Sequence, residues 1–203
     1  MKRVLLIVIA FLTISASANA GDGFYWGPKF GIGISNLSGK INSSFRGAFD
    51  VGLAVGYDSG FLGLEAAAMF KIGGATVGEN MPIGDNNFFE GKAKARNYYF
   101  SVPLTAKLFL TKHLFLNAGP QFDFLLGERI GNDNVVYKST DLYKSMTISG
   151  LVGVGYQFGF GLGVAFNYNI GFTNALKGVA KDVFNEVRNP KNQNMGLVFS
   201  YRF

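Results

Sequence analysis

The strongest constraint in this 203-residue sequence is an alternation with a period of two, sustained over runs long enough to cross a membrane. Phe49, Val51, Leu53, Val55 and Tyr57 alternate with Asp50, Gly52, Ala54, Gly56 and Asp58. Leu62, Leu64, Ala66, Ala68, Phe70 and Ile72 alternate with Gly63, Glu65, Ala67, Met69, Lys71 and Gly73. Each run reads as a strand with one apolar and one small or polar face. A helix would scatter Asp50, Glu65 and Lys71 among apolar neighbours without a stripe. No segment reaches the ~20 apolar residues of a membrane helix. The chain is nonetheless 48% hydrophobic and 16% charged, with 28 Gly and no Cys. That composition excludes disorder, disulfide scaffolds and thiolate metal sites.

Residues 1–20 read as a leader rather than as part of the fold. Lys2 and Arg3 precede an apolar stretch at 4–12, and Ala18, Asn19 and Ala20 form an A-x-A cleavage pattern before Gly21. An uncleaved helical anchor is the alternative. The mature domain is then 21–203, and loss of Lys2 and Arg3 lowers the net charge of +6 by two.

Counting on gives eight strands, at roughly 24–35, 46–58, 61–73, 96–111, 113–127, 144–158, 159–173 and 194–203. Most exceed the ~5–6 residues of globular strands and suit the ~9–11 of a tilted membrane strand. Connections alternate in length. Tight turns fall at 58–60, 111–113 and 157–159; long polar links fall at 36–45, 74–95, 128–143 and 174–193. The expected fold is all-β: an eight-stranded antiparallel up-and-down transmembrane β-barrel with short periplasmic turns and four long extracellular loops. A lipocalin has the same strand number but turns its apolar faces inward.

The faces separate these two folds. Phe30, Ile32 and Ile34, then Tyr98, Phe100, Val102 and Leu104, then Phe160, Leu162, Val164, Phe166, Tyr168, Ile170 and Phe172 form bulky apolar series. Opposite the last series stand Gly161, Gly163, Ala165, Asn167, Asn169 and Gly171. Small residues fit the crowded interior of an eight-stranded barrel, so the bulky face meets lipid. Aromatics collect toward both strand ends as interfacial belts. Tyr25, Trp26, Tyr57, Phe61, Phe115, Tyr156, Phe158, Tyr201 and Phe203 are expected at the short-turn rim. Tyr98, Tyr99, Phe122, Phe124, Tyr143, Tyr168 and Phe172 are expected at the loop rim.

Three stretches carry a family likeness. Tyr98, Tyr99, Phe100, Ser101, Val102, Pro103 and Leu104, followed by Lys107 and by Asn117, Ala118, Gly119 and Pro120, resemble the central signature of PorT-like outer-membrane barrels. So do Tyr168, Asn169, Ile170, Gly171, Phe172, Thr173 and Asn174 before the last loop, and Gly27, Pro28, Lys29, Phe30 and Gly31 at the start. The final nine residues resemble the C-terminal β-signal read by the barrel-assembly machinery, at Gly196, Leu197, Phe199, Tyr201 and Phe203. The resemblance implies a monomeric, porin-like barrel of a Gram-negative outer membrane. One branch of the family serves a secretion and gliding apparatus.

Catalysis is disfavoured. The one histidine, His113, falls in a tight turn at the periplasmic rim, where no nucleophile is forced close to it. The glycines at 153, 155, 159, 161 and 163 lack phosphate-loop spacing. Glu79, Asp85, Glu90, Asp133 and Asp141 match no calcium loop, and Lys92, Lys94, Lys138 and Lys144 dilute their charge. No cofactor, metal or nucleic acid is implied. Lys177, Lys181 and Lys191 would meet lipopolysaccharide. A structural or interaction barrel, a small-solute channel and a barrel enzyme remain as function classes. Eight strands leave a bore just wide enough for side chains, which favours the first.

The inward face also carries charges at matched depth. Lys29, Glu65 and Lys107 form one expected layer, with Glu65 and Lys107 the expected direct pair. Asp50, Lys71 and Asp123 form a second layer about five residues higher. Enclosed charges need partners, so salt-bridged layers are expected; charges wetted by a water column are the alternative.

Overall fold

The computed structural model describes residues 23–38, 43–77, 81–82, 88–89, 93–131, 136–137, 144–173 and 191–203. The leader and parts of the long connections lie outside this set. Eight long strands carry the architecture: β1 (Gly23–Ser38), β2 (Arg46–Ser59), β3 (Leu62–Val77), β4 (Ala93–Phe109), β5 (Leu114–Gly131), β6 (Met146–Gln157), β7 (Leu162–Gly171) and β8 (Lys191–Tyr201). Each pairs antiparallel with the next, and β8 pairs with β1. The sheet is therefore closed, and no long strand is left with an unpaired edge.

At the long-connection end five of the strands run further than the alternation indicates. β1 reaches 38, β3 reaches 77, β5 reaches 131, β4 begins at 93 and β8 at 191. Backbone pairing needs no apolar face, so these ladders continue where the hydrophobic period has stopped. Short pieces add to this end: Ser43–Ser44 pairs with β3, Met81–Pro82 with Phe88–Phe89, and Val136–Tyr137 with β5.

Other boundaries fall inside the expected ones, the largest difference being at the start of the seventh strand. The sequence places a turn at 157–159 and starts the seventh strand at 159, but β7 begins at Leu162 and the turn occupies 158–161. Phe160 and Gly161 are thus turn residues. Gly161 sits at φ +96°, a conformation that disfavours any side chain, and its N–H donates to the Phe158 carbonyl at 3.1 Å. The aromatic–glycine alternation runs unbroken through this turn, so periodicity alone cannot mark it.

A second irregularity is a bulge. Tyr98 pairs with Gly127 and Tyr99 with Leu125, which leaves Leu126 as the extra residue on β5.

The interior contains little apolar core; Ala54, Ala67 and Met69 form one small cluster. Large apolar side chains such as Phe30, Leu53, Leu64, Phe100, Val154 and Phe166 point outward and are exposed. Glu65, Lys71, Ser101, Lys107, Asn117, Gln121 and Asp123 are buried inside. This inversion is stable only where the surroundings are themselves apolar, because hydrocarbon replaces the missing outer shell.

Candidate functional site

The distinctive chemistry lies in the lumen at the short-turn end. Inward-facing positions follow directly from strand parity. On β1 they are Tyr25, Gly27, Lys29, Gly31, Gly33 and Ser35; on β3 they are Gly63, Glu65, Ala67, Met69 and Lys71. The β3–β4 register sets Gly63 opposite Lys107 and Glu65 opposite Thr105, so Lys107 stands diagonally from Glu65.

Three of the expected layer residues meet in one cluster. The Lys29 Nζ donates to Glu65 Oε1 at 2.5 Å, and Lys107 Nζ donates to Glu65 Oε2 at 2.5 Å. Tyr25 Oη donates to the same Oε2 at 2.9 Å and accepts from Lys107 at 3.0 Å. One carboxylate thus holds two ammonium groups and a phenol. Lys29 reaches Glu65 over β2, where Gly56 leaves the gap filled by the Tyr25 ring; a Cβ at Gly56 would fall on that ring.

The cluster continues toward the turns. The Arg202 guanidinium bonds the Asp58 carboxylate and lies 4.1 Å from the centre of the Tyr25 ring. Lys107 Nζ lies 5.2 Å from the Phe115 ring centre. Desolvated cation–π contacts of this kind are worth about 2 kcal/mol. Residues from β1, β2, β3, β4, β5 and the C-terminal segment together fill the mouth of the barrel.

Two of these residues correct the sequence reading. Tyr25 and Phe115 were expected in the short-turn aromatic belt, yet they are 7% and 4% exposed and face the lumen. Tyr99, expected in the loop-rim belt, is likewise inside, with its Oη accepting from Asn97 Nδ2 at 3.1 Å. Parity already distinguishes them, since Tyr25 shares a face with Lys29, Phe115 with Asn117, and Tyr99 with Ser101. Proximity to a strand end is the weaker signal. Arg202 shows the same: it alternates with the apolar Tyr201 and Phe203 and so faces inward.

The upper layer is arranged differently. Asp50 stands opposite Lys71 in the β2–β3 register, and both line a cavity of about 50 Å³. Asp123 is held by neutral neighbours, accepting from the Ser101 hydroxyl and from Gln121 Nε2 at 2.8 Å. A further cavity of about 30 Å³ lies beside Lys71, Asn97, Tyr99 and Asp123. Such volumes admit a few waters and nothing larger.

At the C-terminus, Gly196 packs so closely on β1 that a Cβ there would strike the Ile32 carbonyl. Leu197 is exposed on the outer wall, and Phe199 lies 6.4 Å from Phe30, ring centre to ring centre. The Tyr201 and Phe203 rings are 5.0 Å apart, and Phe203 stacks obliquely on Trp26 at 4.9 Å while its N–H donates to the Trp26 carbonyl at 2.8 Å.

His113 has a structural setting. Its Nδ1 lies 2.9 Å from the Gln157 carbonyl, and its ring stacks on Tyr156. Among the described residues no group of His, Cys, Asp and Glu has the geometry of a metal site. The acids Glu79, Asp85, Glu90, Asp133 and Asp141, and Lys177 and Lys181, lie outside the described residues.

A closed antiparallel barrel with a polar, charge-paired interior and an apolar outer wall defines an integral membrane β-barrel. Residues 16–177 match the sequence profile described as "Outer membrane protein beta-barrel domain". The chain belongs to that family and is an outer-membrane β-barrel protein. No curated protein sequence matches it.

Solved structures are similar to the chain at low identity, and the first of them shares its fold. Neisserial surface protein A superposes with a TM-score of 0.52 at 12% identity, covering 89% of this chain and 97% of that one. The attachment invasion locus protein Ail of Yersinia pestis gives 0.49 at 10%, covering 89% and 99%. OprG of Pseudomonas aeruginosa gives 0.44 at 13%, covering 92% and 99%.

Proposed function

We propose that this protein is a structural or interaction barrel whose lumen is closed by its own side chains, rather than a solute channel. The observation that carries the reading is the cluster of Lys29, Glu65, Lys107, Tyr25, Asp58 and Arg202 across the short-turn mouth. A permeating ion would have to displace groups already bonded to one another. The two cavities above the cluster are too small to join into a pore.

In this reading the leader is cleaved after Ala20, both termini and the short turns face the periplasm, and the long connections face outward. The surface loops or the periplasmic rim then contact envelope partners, with lipopolysaccharide around the outer half. No catalytic role is assigned, and the protein acts as a monomer. Gly196, Leu197, Phe199, Tyr201 and Phe203 serve as the signal for the assembly machinery. The motifs at 98–104 and 117–120 support a PorT-like member of the family.

Purified protein in a planar bilayer tests the closed lumen. No steady conductance is expected from the wild type. A stable open channel would overturn the reading in favour of a small-solute porin.

A further inference from the structure

The outer wall is not uniform. Around most of the barrel the lipid face is bulky, as with Val152, Val154 and Tyr156 on β6 or Phe166 on β7. Across β1–β5, near the short-turn end, it instead carries a groove of about 630 Å³. Its floor is Ala66, Ala106, Ala118 and Pro120, and its walls are the exposed side chains of Phe24, Val55, Tyr57, Leu64 and Leu104.

Two interruptions in the ladder accompany the groove. The β3–β4 pairing passes from Ala66↔Leu104 to Met69↔Ser101, omitting the pairs that contain Ala67 and Pro103. The β4–β5 pairing passes from Pro103↔Gln121 to Ala106↔Ala118, omitting Leu104 and Pro120. Proline has no N–H, so Pro103 offers no ladder donor to the Ala67 carbonyl and Pro120 offers none to Leu104. Two prolines on neighbouring interior strands are costly inside hydrocarbon, where unpaired backbone groups go unsolvated. They loosen the wall at the same depth as the concavity.

We propose that this groove is a dedicated seat for one acyl chain of a phospholipid in the periplasmic leaflet. Location selects the occupant. Every outward side chain around the groove belongs to a membrane-spanning strand, so the medium that fills it is lipid or another membrane protein. The groove starts two residues past the start of β3, at Leu64, and four past the start of β5, at Ala118, which puts it in the half of the bilayer nearer the short turns. A concave patch is also a poor surface for a two-fold contact with a second copy, since the same hollow would face itself. The groove crosses five strands, or about 19 Å at the usual spacing, and runs oblique to the membrane normal because the strands are tilted. An extended chain fits that shape, and the lining it would meet is almost wholly apolar. The seat itself rests on the lipid-facing wall and not on whether the lumen is closed, while its leaflet rests on the orientation proposed above.

Photo-crosslinking tests this with the folded barrel in vesicles of phosphatidylethanolamine and phosphatidylglycerol, doped with a phospholipid that carries a diazirine in its acyl chain. Adducts should concentrate several-fold on peptides containing Ala66, Ala106 and Ala118 relative to those containing Val152 and Val154. Ala106→Trp and, separately, Ala118→Phe should fill the groove and abolish the excess while the barrel stays folded by its heat-dependent gel mobility. Even labelling around the wall would overturn the proposal by reducing the groove to ordinary annular lipid. So would an excess that survives both filling variants, or crosslinked protein dimers joined at this face.

Discussion

Replacing Glu65 by Ala is the sharpest perturbation of the lumen cluster. Its carboxylate is the common acceptor for Lys29, Lys107 and Tyr25, and its side chain is 3% exposed. Without it Lys107, with 6% side-chain exposure, keeps ring and phenol contacts but no carboxylate bonded to it. Removing one member of a buried ion pair costs about 3–5 kcal/mol. The cost is not doubled for the second lysine. Lys29 is more exposed, at 12%, and lines the same cavity as Asp50, so it can turn toward another carboxylate. A total loss of about 3–5 kcal/mol is therefore expected.

The protein has a single tryptophan, Trp26, on β1 near the mouth, so urea unfolding from vesicles can be followed by its fluorescence. The double variant Glu65→Ala with Lys107→Met removes the stranded charge and should recover most of the loss. A single variant within about 0.5 kcal/mol of wild type, or a double variant with no recovery, would refute the reasoning. Either outcome would mean that water already solvates the lysines and that the bore is a hydrated column.

Gly56→Val should lower stability by about 1–3 kcal/mol in the same titration, because its side chain takes the space of the Tyr25 ring. Gly47→Val, where a Cβ meets nothing within 4 Å, should change little and serves as the control. Deleting Phe203 removes its contact with Trp26 and the last residue of the proposed assembly signal. Folded barrel in the outer membrane should fall several-fold, and an unchanged level would remove Phe203 from that role.

Much of this protein follows from short-range pattern. The period of two assigns each residue to lipid or lumen, because successive side chains on a strand point to opposite faces. Eight alternating runs joined by short and long links then leave one closed up-and-down arrangement that pairs their backbones. Lys29, Glu65 and Lys107 stand out in the same way, as charges on the inward parity of neighbouring strands. The sequence could not tell that a single carboxylate serves both lysines. That depends on the register, which sets Lys107 diagonal to Glu65, and on the Gly56 gap that lets Tyr25 lie between.

Nor could it reveal Arg202 on Asp58, 144 positions apart in the chain, because β8 meets β1 only when the sheet closes. The four-residue turn at 158–161 was hidden by an aromatic–glycine alternation that continues through it. The upper layer marks the same boundary. Asp50, Lys71 and Asp123 have the right parity and signs, but Asp123 is taken by Ser101 and Gln121. Parity along one strand is local and fixed by backbone stereochemistry. Which partners meet across the lumen is set by register and shear, which exist only in the assembled barrel.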